Sequence, residues 1–134
     1  MSRRDLSEVE MRRKLQQRKV PSEVVAQIIM QLKELGYLSD ARLGAKMVEN
    51  LCDEQHLGLN GIAAKLRKRG ISNSIIMHEL NQRDFSNEEE WARNLLAKRE
   101  LTEPHKVARF LFSKGFSTPT ISKIVGAFLS NSEE

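Results

Sequence analysis

A pattern of twelve residues occurs three times in this chain of 134 residues, and the repetition constrains the fold more than any other feature. The copies are KLQQRKVPSEVV at 14–25, KLRKRGISNSII at 65–76 and FLFSKGFSTPTI at 110–121, starting 51 and 45 residues apart. In each, a leucine is followed at intervals of five by two apolar residues: Leu15, Val20 and Val25; Leu66, Ile71 and Ile76; Leu111, Phe116 and Ile121. Three matches in register predict a tandem repeat.

Each copy has the signals of a helix, a tight turn and a second helix. Gly70 and Gly115 fall where a helix end takes a left-handed residue, a conformation that glycine adopts without a Cβ clash. Ser72 and Ser117 follow two residues later, where the next helix takes an N-cap residue. The second and third copies therefore predict the same helix-turn-helix unit.

The first copy departs from this pattern at its turn. Lys19 stands at the glycine position, and Pro21 and Ser22 follow. Because proline stops one helix and suits the first positions of the next, these two residues are expected to supply the break. We therefore expect this turn to differ in detail from the other two.

Further helical segments lie between the copies. Ser39 predicts the start of a helix that runs through Cys52, and Ser86 precedes a second helix whose acidic first turn suits the helix dipole. No stretch has the alternation of a strand. The sequence therefore predicts an all-α protein of eight helices, arranged as tandem repeats of small three-helix bundles in an elongated array. The predicted repeats span 1–55, 56–100 and 101–134.

The residues that support catalysis are scattered or poorly placed. Three histidines have no second ligand at metal-binding spacing, and Cys52 is followed by two acids that disfavour its thiolate. No phosphate loop or dinucleotide motif occurs. We therefore expect no enzyme, metal or cofactor. With a single cysteine and no apolar run long enough for a signal or a membrane span, the chain is expected to be cytoplasmic.

Positive charge is concentrated in the middle copy. The chain has a net charge of only +4, but residues 58–83 hold five cations and one acid. Lys65, Lys68 and Arg69 are three or four residues apart, so a helix places them on one face without an acid at helical spacing. Such a face is typical either of a phosphate-binding or acid-binding surface or of an ordinary solvated helix, and the sequence leaves both open.

Cations at related positions extend this candidate surface into the other copies. Two acids of the predicted first repeat, just before the first copy, have a cation four residues later, which predicts local ion pairs. These pairs are Glu8 with Arg12 and Glu10 with Lys14. The complete predicted basic face has a centre and flanks. The centre is Lys65, Arg67, Lys68 and Arg69, and the flanks are Arg13, Arg18, Arg109 and Lys114.

A helix-turn-helix also suggests a different class of function, a sequence-specific DNA-binding transcriptional regulator. In that interpretation residues 72–81 form the recognition helix and present Asn73, Ser74 and His78 to base edges. That helix has no arginine or lysine on its outer face, and the motif is repeated rather than single. A third interpretation, a helical adaptor for an unrelated protein, stays open.

Three segments resemble one known family. SEVEMRRKL at 7–15 is similar to its opening helix, LKELGYLSDAR at 32–42 to its Gly-Tyr-Leu junction, and GLNGIAAKLRKRGIS at 58–72 to its central segment. The family is RecX, the small regulators of the bacterial recombinase RecA. Leu59 stands where the family usually has proline, and Gly61 and Ala63 where it often has basic residues. Members of the family usually have a further helix before the position of Ser7, and only six residues precede it here, so the first repeat is expected to lack its leading helix.

The resemblance implies a binding regulator rather than an enzyme. Members of the family are described as lying in the groove of the RecA filament on DNA, where they block its growth or promote its disassembly. They thereby suppress ATP hydrolysis and strand exchange. The partners expected for this chain are therefore the RecA filament and single-stranded and double-stranded DNA, in the context of DNA repair, homologous recombination and the SOS response. A monomer without membrane contact is expected.

Overall fold

The structure, a computed structural model, describes residues 5–132. Within this range the backbone forms eight α-helices and no β-strand, which confirms the all-α prediction. The helices are α1 Glu8–Gln17, α2 Ser22–Glu34, α3 Asp40–Glu54, α4 Leu59–Lys68, α5 Asn73–Asn81, α6 Glu88–Ala97, α7 Pro104–Ser113 and α8 Thr118–Ser132. Residues 1–4 and 133–134, at the ends of the predicted first and third repeats, lie outside the described range. Among the described helices, none is long and apolar enough to cross a bilayer.

The repeated pattern corresponds to one turn that is built three times. After α1, α4 and α7, the N–H of the apolar residue returns to the carbonyl of the repeated leucine, as in a Schellman motif. The N···O distances are 3.1 Å for Val20 to Leu15, 3.2 Å for Ile71 to Leu66 and 3.1 Å for Phe116 to Leu111. The residue before the apolar one is left-handed in every copy: Lys19 has φ +61°, Gly70 +87° and Gly115 +80°. The backbone closure is therefore the same in all three copies. The first copy differs, as expected, in how the next helix begins: α2 follows Pro21 without a side-chain cap, whereas the Ser72 hydroxyl caps α5.

Lys19 takes the left-handed conformation at a cost that glycine does not have, because its Cβ crowds the backbone. Replacing Lys19 with glycine is expected to raise the free energy of unfolding by about 1 kcal/mol, measured by urea denaturation. Gln16→Gly, three residues earlier in α1, is the matched control and should lower it by about 1 kcal/mol. An equal loss of stability in both variants would contradict the interpretation of the turn.

Side-chain packing groups the helices differently from the predicted boundaries. Residues of α3 share a buried core with those of α4 and α5, and Trp91 of α6 shares another with residues of α7 and α8. The first core is formed by α1 and α2 with Leu38. The boundaries at 55/56 and 100/101 therefore separate α3 and α6 from the helices they pack against. The sequence could not show this, because the repeated pattern covers the pairs α1 and α2, α4 and α5, and α7 and α8, but neither α3 nor α6.

The helices α7, α4 and α1 meet end to end. The last turn of α7 lies on the first turn of α4, where the Gly58 N–H donates to Lys114 O at 3.0 Å and the Asn60 N–H to Gly115 O at 2.9 Å. At the other end of α4, the buried Ser7 hydroxyl donates to Arg69 O at 2.5 Å. Each junction satisfies carbonyls that a helix end otherwise leaves unpaired. The C-terminal end of α7 therefore contacts the N-terminal end of α4, and the C-terminal end of α4 contacts the residue before α1.

Candidate functional site

The basic face of α4 is the best candidate for a binding surface. The helix buries Ile62 and Leu66 completely, which turns Lys65 and Lys68 outward. Neither lysine forms an ion pair with any residue that the structure describes. Arg67 is also exposed, and its Nε donates to Asn73 Oδ1 at 3.0 Å. We therefore define the α4 basic face as Lys65, Arg67 and Lys68.

Arg69 does not belong to this exposed face, which corrects the prediction. Its guanidinium makes two hydrogen bonds to the Glu10 carboxylate, at 3.0 Å from Nε and 2.7 Å from Nη2, and Nη2 also donates to Asp5 O. The side chain is only 15% exposed. The hydrogen bond to Glu10 is the main reason that the pKa of Arg69 is raised. Arg69 therefore fixes α4 to α1, an interaction between residues 59 positions apart.

The acids of α1 have long-range partners instead of the predicted local ones. Glu10 pairs with Arg69, and Glu8 pairs with Lys33 of α2 at 3.0 Å rather than with Arg12. Arg13 and Arg18 are exposed, as predicted for the flank of the basic face. The four-residue rule failed here because the tertiary fold brings Arg69 and Lys33 to these carboxylates.

The flanking cations of the third copy have different surroundings. Arg109 is exposed on α7. Lys114 is half-buried, with Nζ 5.9 Å from the centre of the Phe110 ring, and the Arg99 guanidinium lies 4.8 Å from the same ring. Arg18, Arg69 and Lys114 occupy the same C-cap position in three copies. Arg18 is exposed, Arg69 is paired with Glu10, and Lys114 lies near the Phe110 ring.

Sequence reasoning missed the role of Glu88, the first residue of α6. Its side chain is buried, with 3% of the residue exposed, and it accepts hydrogen bonds at the N-terminal ends of two other helices. The Leu59 N–H of α4 donates at 2.8 Å, and the Ser117 N–H before α8 at 3.0 Å. The hydroxyls of Ser117 and Thr120 add bonds of 2.6 and 2.5 Å. Burial raises the pKa of this carboxyl, but the hydrogen bonds outweigh it, so the pKa lies below its ordinary value of 4.5.

Asp40 has the equivalent place between the first two bundles. It is the first residue of α3, and its Oδ1 accepts from the Glu8 N–H of α1 at 2.9 Å. Its pKa is raised, chiefly by burial. An acid at the first position of a leading helix therefore joins that bundle to the preceding one in both cases. One sequence signal for this role was present, since Asp40 and Glu88 each follow a residue that predicts the start of a helix.

The described part of the chain offers little to a metal or a nucleophilic mechanism. It contains no group of three or more His, Cys, Asp or Glu side chains that could hold a metal ion. Burial is the largest cause that raises the pKa of the half-buried Cys52, with Arg83 opposing and Asp53 adding to the effect. A raised thiol pKa disfavours the thiolate that a nucleophile needs.

The helix-turn-helix of the alternative hypothesis is present as α4, the turn and α5. Ser72 caps α5 by accepting from the Ile75 N–H at 3.4 Å. The outer polar groups of α5 contact neighbouring side chains of the chain: Asn73 holds Arg67, and His78 Nε2 lies 2.7 Å from Gln82 Nε2. The helix carries no arginine or lysine that could contact phosphates or guanine.

Comparison with known proteins identifies the family. No family model matches the chain. The regulatory protein RecX of Streptomyces coelicolor is 27% identical over 141 residues, covering 99% of this chain and 72% of that protein. The regulatory protein RecX of Pseudomonas entomophila is 30% identical over 132 residues, covering 93% of this chain and 84% of that protein. The chain belongs to the RecX family.

Solved structures support the same fold. The crystal structure of RecX from Lactobacillus salivarius superimposes with a TM-score of 0.79 over 93% of this chain and 86% of that one, at 22% identity. A second crystal structure, of regulatory protein RecX, has a TM-score of 0.78 and 27% identity, covering 89% of this chain and 64% of that one. The resemblance noted in the sequence is thereby confirmed.

Proposed function

We propose that the chain binds RecA recombinase filaments on DNA and inhibits their growth, ATP hydrolysis and strand exchange. Membership of the RecX family is the observation that carries this proposal. The α4 basic face adds a physical basis, because it offers exposed cations to phosphates or to acidic protein surfaces.

The end-to-end stack of α7, α4 and α1 suits a partner that is itself a repeating polymer. We propose that its tandem bundles contact more than one filament subunit. The α4 basic face lies in the middle bundle, and the exposed Arg13, Arg18 and Arg109 belong to the first and third bundles. We propose that these cations contact filament DNA or acidic recombinase surfaces, and that the chain acts as a monomer.

Reversing two charges on the α4 basic face tests the proposal. Lys65→Glu with Lys68→Glu should raise the concentration needed for half-inhibition of RecA-driven ATP hydrolysis by at least about tenfold, because attraction becomes repulsion. If both lysines contact phosphates, the salt dependence of filament binding should also weaken by a slope of about 2. Both residues are exposed and unpaired with described acids, so helicity measured by circular dichroism should not change.

Arg83→Glu with Lys98→Glu is the matched control. Both residues are exposed and lie outside α4, so the net charge changes equally while the face stays intact. The control should inhibit ATP hydrolysis as the unmodified chain does. It should also bind equally well in co-sedimentation with filaments on single-stranded DNA at two salt concentrations. Full inhibition by the α4 variant would show that the α4 basic face is not needed for inhibition. Selective binding to one duplex sequence, without filament binding, would favour the transcriptional regulator.

A further inference from the structure

An exposed aromatic residue lies on the third bundle, away from the α4 basic face. The Phe112 residue of α7 is 76% exposed, although burying such a ring is worth several kcal/mol at an interface. The neighbouring Leu111 is completely buried, so the register of α7 is fixed and Phe112 cannot turn inward. The ring is therefore presented to solvent by the geometry of a well-packed helix.

The internal repeat shows that an aromatic residue is not needed at this position for folding. With the offsets of 51 and 45 residues between copies, Phe112 corresponds to Arg67 in the second copy and to Gln16 in the first. Both of these residues are exposed and polar. The same helix position thus points to solvent in all three bundles, and only the third has an apolar side chain there.

Phe112 forms one wall of a shallow depression between α7 and the start of α8. The depression has a volume of about 490 Å³ and is lined by Ala108, Arg109, Phe112, Thr118 and Ile121. Three of the lining residues are apolar, and Arg109 supplies the cation at the rim. Arg109 forms no ion pair with the residues that the structure describes. The site therefore offers apolar contact beside an uncompensated positive charge.

We propose that this depression is a docking site for a protein segment in which an apolar side chain stands beside a carboxylate. The apolar group packs against Phe112 and Ile121, and the carboxylate pairs with Arg109. Charge complementarity selects the acidic neighbour, since a guanidinium pairs with a carboxylate through two parallel hydrogen bonds. The assignment rests on the proposed function, because it takes the segment to be part of the recombinase filament.

A nucleobase stacked on Phe112 is the competing occupant, and the lining favours a protein. Single-stranded nucleic acid sites combine aromatic platforms with a groove of several cations that follows the phosphates. Here the cation at the depression is a single arginine, and the apolar lining besides Phe112 is aliphatic, from Ala108 and Ile121. A concave apolar surface with one charge matches the anchor pocket of a protein interface.

Phe112→Gln tests the proposal by introducing the residue of the first copy at the equivalent position. Binding to preformed RecA filaments, measured by fluorescence anisotropy with labelled chain, should weaken about tenfold to thirtyfold. Its salt dependence should stay unchanged, because no charge is removed. Met30→Gln, which alters another exposed apolar residue on α2, should bind like the unmodified chain. Arg109→Gln should also weaken binding, but with a shallower salt dependence.

The outcomes separate this site from the proposed function. If the unmodified chain and Phe112→Gln bind filaments equally, the docking site is excluded while the filament proposal stands. If Phe112→Gln loses affinity for bare single-stranded DNA as strongly as for filaments, the occupant is a base and the protein assignment is overturned. If the unmodified chain binds no filament, both proposals fail.

Discussion

Replacing Gly115 with alanine is expected to lower the free energy of unfolding by about 3–5 kcal/mol. A Cβ at this position would lie 1.9 Å from Gly61 N and 2.2 Å from Gly61 Cα, which is backbone and cannot move aside as a side chain can. The φ of +80° adds the cost of a left-handed alanine. The displaced turn would also lose the hydrogen bonds that Gly115 O accepts from the Asn60 and Gly61 N–H groups. Urea or thermal denaturation measures the loss.

Gly36→Ala is the control that separates the two contributions. Gly36 has a nearly equal φ of +79°, but nothing lies within 4 Å of the position of its Cβ. Alanine there should cost only about 1 kcal/mol, from the backbone conformation alone. Equal losses in the two variants would show that the close approach of α7 and α4 contributes nothing to stability.

Replacing Glu88 with glutamine is expected to lower the free energy of unfolding at neutral pH by about 2–4 kcal/mol. The carboxylate accepts from a backbone N–H on each of two sides, so whichever way an amide is oriented its NH₂ group faces a donor. One buried N–H at the start of α4 or α8 would lose its partner. Glu90→Gln, in the same helix turn but exposed, should change stability by no more than about 0.5 kcal/mol.

The same substitution predicts a pH dependence. The pKa of Glu88 is lower in the folded chain than its ordinary value of 4.5, so its contribution is complete above that value. The contribution is lost as the pH falls through the lowered folded pKa. Urea denaturation of the unmodified chain and of Glu88→Gln should be compared from pH 7 to pH 3. The difference between their free energies of unfolding should become smaller as the pH falls. A constant difference over this range would contradict the assignment of a charged, hydrogen-bonded carboxylate.

The basic face illustrates how far sequence reasoning reached. Lys65 and Lys68 were predicted to be exposed, and they are, because Leu66 and Ile62 fix the orientation of α4. Arg69 was predicted with them but is held by Glu10. Helical spacing describes neighbours within one helix, whereas this partner comes from another bundle. The repeat aligns Phe112 with the polar Arg67 and Gln16, but only the structure shows that all three positions are exposed.

The sequence by itself determined the eight helices, the repeated helix-turn-helix and the family. Each turn is closed by hydrogen bonds within six residues, so its residues are adjacent in the printed chain. The tertiary structure alone decided that α3 and α6 pack forward, that Glu88 joins three helices and that Arg69 is not free. These contacts join residues far apart along the chain, and no local periodicity encodes them.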